Sequence, residues 1–169
     1  MGLDISTSIT GYTIIDSDGV VVVCEHIDLT KIDGFLNKAS LCQSNFTKLF
    51  QKYPISSVYI EESLQMFSMG KSSAKTLSTL TKFNGVLSWI IFNDFLIAPN
   101  HIPAISARKL CGVKLEKGKR GKECVIEHMK ANESWFQIDY TKTGNIKPYI
   151  YDRADSFIIA KAGYLKNIK

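Results

Sequence analysis

Cysteine is scarce in this chain: four residues among 169 (Cys24, Cys42, Cys111 and Cys124), with no C-x-x-C pair and no histidine at zinc-ligand spacing. A disulfide framework and a thiolate zinc site are thereby excluded, and reduced thiols in a core are the remaining reading. Arginine is scarcer, with three residues (Arg108, Arg120, Arg153) against eighteen lysines. That balance suits point-charge contact with phosphates better than bidentate reading of base edges. No apolar run is of membrane-spanning character; the longest, residues 77–98, is broken by Lys82, Asn84, Asn93 and Asp94 and reads as a buried helix. No basic segment followed by an apolar core marks a secretory signal, so an intracellular, cytoplasmic location without membrane contact is expected. Internal repeats and low-complexity segments are absent as well.

What is present is ordinary globular composition, 45% apolar and 22% charged, in a length that fits one domain over residues 1–169. The net charge of +5 leans toward a polyanionic partner. Apolar β-branched runs at 9–15 and 20–24 flank Asp16-Ser17-Asp18-Gly19, whose Asp-Gly step signals a hairpin. With residues 3–5 before them, the chain opens as three short strands. Helical spacing over 35–53 ends at Pro54, and a buried strand follows at 57–60. A long helix over 72–96, a strand around 101–105, a helix over 121–130 and a last helix from about 152 to 164 complete the order. Residues 139–147 read as a polar loop. Such an order predicts an α/β architecture, a mixed sheet flanked by helices, with its chemistry at strand ends and a helix start.

Four of the sixteen acids stand out by context: Asp4 and Glu61 at the ends of apolar runs, Asp152 and Asp155 three apart at the head of an apolar helical stretch. Strand alternation lets Asp4 and Glu61 project from neighbouring strands about 4.8 Å apart, and the i, i+3 spacing puts the other two on one helix face. An all-oxygen pocket of this kind suits magnesium. Other readings stand beside it. Asp152 is also a helix N-cap candidate, with Asp155 favoured in the first turn by the helix dipole. Glu62 competes with Glu61 for the inward position. Asp16 and Asp18 are turn residues, Glu25 and Asp28 are solvated, and His26, His101 and His128 are structural or surface residues.

Taken together, Gly2-Leu3-Asp4-Ile5-Ser6-Thr7-Ser8-Ile9-Thr10-Gly11-Tyr12, then Ile60-Glu61-Glu62 ahead of a lysine-bearing loop and long helix, then Asp152-Arg153-Ala154-Asp155-Ser156, resembles the RuvC family of Holliday-junction resolvases. The likeness runs over nearly the whole chain in order and spacing, although only three residues precede Asp4 and the stretch holding Trp135, Phe136 and Tyr140 matches no family motif. It implies an RNase H-like α/β fold and a homodimer. It also implies two magnesium ions per active site, with manganese as a substitute, and paired symmetric nicks in a four-way DNA junction that leave 5′ phosphates. By the same resemblance Asp4, Glu61, Asp152 and Asp155 are the catalytic and metal-binding acids.

Residues 108–122 carry Arg108, Lys109, Lys114, Lys117, Lys119, Arg120 and Lys122 against Glu116, with glycines between, a segment able to follow a phosphate backbone. In the resembled family, basic residues of this region touch scissile-strand phosphates; Lys109 and Lys122 match best. Phe67, between the second acidic strand and the long helix, reads either as a core residue or as a candidate for stacking at a branch point, where the resembled family places an aromatic residue, with Lys71 and Lys75 as phosphate contacts nearby. Three alternatives remain: an RNase H-like nuclease on RNA–DNA hybrid or other branched nucleic acid, a non-catalytic junction-binding protein, and an actin-like ATP-binding lobe. The last is opposed by the short chain and the lack of a second phosphate loop.

Overall fold

The computed structural model describes residues 1–62 and 74–168. Three strands open the chain: β1 (Gly2–Asp4), β2 (Ile9–Ile15) and β3 (Val21–Asp28). The β2–β3 turn is held by Asp16 Oδ1, which accepts the amides of Asp18 and Val20 at 3.0 and 2.8 Å. There follow α1 (Phe35–Lys52), β4 (Tyr59–Glu61), α2 (Ala74–Phe95), β5 (Asn100–Ile102), α3 (Ala104–Leu110), α4 (Gly121–Asn132) and α5 (Pro148–Asn167). The sheet runs β3-β2-β1-β4-β5, antiparallel from β3 to β1 and parallel from β1 to β5.

Alternation along the strands divides the core in two. Leu3, Ile14, Ile27, Val58 and Ile60 pack under α1 and α2 with Phe46, Phe83, Leu87 and Ile91. On the other face Tyr59 and Ile102 meet Val125, Met129, Ile150, Phe157 and Ile158 from α4 and α5. Helix α5 lies hard against the sheet there. A methyl group on Gly2 would fall 2.3 Å from the Ala160 nitrogen, and one on Gly11 would fall 2.0 Å from the Asp152 carbonyl oxygen. Only glycine permits that approach.

Three expectations change. The apolar stretch around 101–105 is not one strand: β5 stops at Ile102, and Pro103, with no amide to give the ladder and φ at −60°, starts α3. Arg108 and Lys109 therefore sit on a helix and not in a supple loop. The last helix begins earlier than expected, at Pro148, a first-turn position where a missing N–H is tolerated. Lys147 is its N-cap residue, so Asp152 lies inside the helix and is not a cap. Finally, β3 extends past Cys24 because its pairing with β2 continues to Ile9↔Asp28, which brings Glu25 and Asp28 into the strand. Among the described residues no helix is long and apolar enough to cross a membrane.

Candidate functional site

In β1 the fully buried Leu3 faces α1 and α2, which turns its neighbours Gly2 and Asp4 toward α5; in β4, Ile60 does the same for Tyr59 and Glu61. Parallel register pairs Gly2 with Tyr59 and Leu3 with Ile60, so Asp4 and Glu61 come next in line on adjacent strand ends. Asp155 reaches the same point from α5. One carboxylate oxygen each of Asp4, Glu61 and Asp155 lies within 4.8 Å of the other two. Of the two consecutive glutamates it is Glu61 that joins this trio. Asp152 stands at its margin, one helical turn before Asp155, and shares with it the ammonium of Lys122.

Three acids crowded in a largely dry pocket cannot ionise freely. Burial, then the charges of Glu61 and Asp155, hold the Asp4 carboxyl well above the usual carboxylate range. Burial, then Asp155, pushes Glu61 up to about 7, against the opposing pull of Arg108 and Lys122. Burial also raises Asp152, partly offset by Lys122. Two cations answer this charge in different ways. Arg108, its side chain only 14% exposed, donates from Nη2 to Asp155 Oδ1 at 3.2 Å. Its guanidinium passes over Gly121, where a methyl group would fall 2.6 Å from Nη1. Lys122, on the first turn of α4, holds Nζ 3.9 Å from Asp4 Oδ2, 3.6 Å from Asp152 Oδ1 and 3.5 Å from Asp155 Oδ2. Partial burial pulls its pKa down, and the surrounding carboxylates outweigh that and hold it above the ordinary lysine value.

This donor set fits a hard divalent cation. Asp4 Oδ2 and Asp155 Oδ2 are buried and accept no hydrogen bond from the described residues, a cost that proteins seldom leave standing without an ion or water to meet it.

The remaining residues singled out in the sequence fall into three groups. Lys109 and Lys75 are exposed, on α3 and on the first turn of α2. Lys119 and Arg120 are already engaged: Lys119 bridges Glu116 and Glu127 at 2.9 Å each, and Arg120 forms a capping box with Glu123 at the start of α4. Phe67 and Lys71 lie outside the described residues.

Two features were not anticipated. Asn84, buried on α2, donates to the Glu61 carbonyl oxygen at 3.2 Å, and its Oδ1 lies 3.3 Å from His101 Nε2, so a polar strut backs the end of β4. The signal was a lone amide on the apolar face between Phe83 and Leu87. Beside Asp152, Arg153 pairs with Glu25, donates to His26 Nδ1 at 3.1 Å and lies over the Tyr149 ring, which stacks on His26. Arg153 thus ties α5 to the edge strand and is not an exposed charge.

No family model and no curated protein matches the chain. Solved structures do. RuvC of Thermus thermophilus in complex with a Holliday junction substrate superimposes with a TM-score of 0.66 at 10% identity, covering 99% of this chain and 93% of that one. A second structure of Thermus thermophilus RuvC gives 0.63 at 13% identity, with 99% and 94% covered. The yeast mitochondrial Holliday junction resolvase gives 0.59 at 15%, with 98% and 79% covered. At these identities the likeness establishes the fold: the chain has a RuvC-like, α/β RNase H-like architecture.

Proposed function

We propose that this chain is a divalent-metal-dependent endonuclease that resolves four-way DNA junctions by paired symmetric nicks, acting as one nuclease domain in a homodimer. The observation that carries the reading is the convergence of Asp4, Glu61 and Asp155 within 4.8 Å, with two buried oxygens that accept no hydrogen bond from the described residues, on a fold shared with a protein solved on a Holliday junction.

Asp4, Glu61 and Asp155 would hold magnesium or manganese, and Asp152 would complete a two-ion site at the open margin. Bound there, the ions supply an activated water and stabilise the leaving oxygen of a phosphodiester. Arg108 keeps Asp155 Oδ1 occupied, which leaves Oδ2 turned to the cluster. Asn84 steadies the backbone of Glu61. Exposed Lys75, Lys109, Lys114 and Lys117 offer unspecific phosphate contacts, and Phe67 and Lys71 are proposed to meet the branch point on the strength of the sequence resemblance alone. On α2, Gly85, Trp89 and Phe92 lie exposed at spacings of one helical turn, with exposed Leu96 just past the helix end, an apolar stripe that supports association with a second copy.

Cleavage of a labelled four-way junction in magnesium, beside linear duplex and RNA–DNA hybrid, tests this. Symmetric nicks confined to the junction are expected, reduced at least about 100-fold in Asp152→Asn while junction binding persists. Cleavage of the hybrid would move the activity to RNA–DNA substrates. Binding without any cleavage would make the protein a junction-binding scaffold.

A further inference from the structure

We infer that Lys122 is a tethered counter-ion that competes with divalent metal for the acidic cluster, so that metal loading releases its charge to the substrate phosphates. The inference rests on the proposed metal site. Its ground is that Lys122 Nζ is aimed at the same two oxygens, Asp4 Oδ2 and Asp155 Oδ2, that are buried and lack hydrogen bonds. Its distances to the three acids, 3.5, 3.6 and 3.9 Å, are nearly equal and all longer than the roughly 2.7–2.9 Å of a charge-assisted hydrogen bond. The ammonium is therefore held by the summed field of the carboxylates and not by any one bond.

Mobility follows from where the side chain starts. Arg108 is fixed by a hydrogen bond and is mostly buried, whereas the Lys122 side chain is 51% exposed and leaves the first turn of α4 at the solvent side. Its four-carbon stem can swing outward without disturbing the helix. A doubly charged ion among the same carboxylates would offset their charge and repel the ammonium, which stands only 3.5–3.9 Å from them. Displaced, Lys122 points its charge outward beside the opening of the cluster, where a phosphate approaches. Metal binding and phosphate binding then favour each other, and linkage makes that coupling reciprocal.

Titration calorimetry with manganese chloride, without DNA, decides the matter. Lys122→Met and Lys122→Gln are expected to bind Mn2+ about tenfold more tightly than the natural chain, and Lys122→Arg about as the natural chain does. Asp155→Asn is expected to lose binding. A variant that folded poorly would lose affinity, so a gain has no such explanation. Equal or weaker binding by the Met and Gln variants, with Asp155→Asn still negative, would overturn the competition while leaving the metal site standing. No binding by any form would overturn both. As a second readout, the four-way junction should bind the natural chain more tightly than Lys122→Met in calcium and equally in EDTA; the same difference in both would overturn the release.

Discussion

At the residue scale, two influences act on Glu61 in the same direction: its strand buries it, and its neighbours are acids. Because burial and Asp155 raise its pKa from 4.5 to about 7, the folded chain holds this proton more tightly than the unfolded chain does. The associated stability is complete below about pH 4.5 and is lost as pH rises through about 7. Glu61→Gln removes the titration. In EDTA its stability relative to the natural chain should therefore rise between pH 5 and pH 8, by at most about 3 kcal/mol, as read by denaturant unfolding. A difference that fell over that range would show that Glu61 is stabilised as an anion. The positions of the four acids were legible because each depends on local periodicity: an apolar run ending in an acid for Asp4 and Glu61, and i, i+3 spacing for Asp152 and Asp155. The inward turn of Arg108 was not legible. On sequence it is one of a run of basic residues, and only the meeting of α3 with α5 separates it from its exposed neighbour Lys109.

At the element scale, the approach of α5 to the sheet decides whether the acids meet. Gly11 permits it on β2, and the obstructing group beneath it is backbone, the Asp152 carbonyl, which cannot step aside as a side chain would. Gly11→Ala should force α5 outward and lower stability by about 1–3 kcal/mol. It should reduce cleavage more than the stability loss accounts for, since Asp152 and Asp155 move with the helix; thermal unfolding beside the cleavage assay measures both. Gly11 belonged to the motif visible in the sequence, but the reason for glycine there is a contact between residues far apart in the chain. The helix α3 escaped the sequence reading for a related cause. His101 to Ile105 is apolar and β-branched enough to pass for a strand, and Pro103 within it is compatible with a strand end or a helix start.

At the scale of the whole molecule, the proposed symmetric cutting requires two sites at a fixed separation, and the exposed stripe on α2 is the surface proposed to seat a second copy. Trp89, 61% exposed, is its largest member. Trp89→Glu should weaken self-association by about 30-fold or more, seen by sedimentation, and turn paired nicks into single ones. Unchanged association would place the dimer contact elsewhere. The mixed sheet and its flanking helices were legible from the alternation of short strands with helical stretches, whereas which apolar face covers the sheet and which remains free was not, because α2 carries both. One further consequence follows from the positions of the acids. The trio joins the first strand of the sheet to its last helix, with Asp4 near one end of the chain and Asp155 near the other. During synthesis, which proceeds at about 5–20 residues per second, Asp4 and Glu61 emerge long before their partner. On the proposed reading, a product truncated before α5 would carry Asp4 and Glu61 without Asp155 and could not assemble the acidic trio.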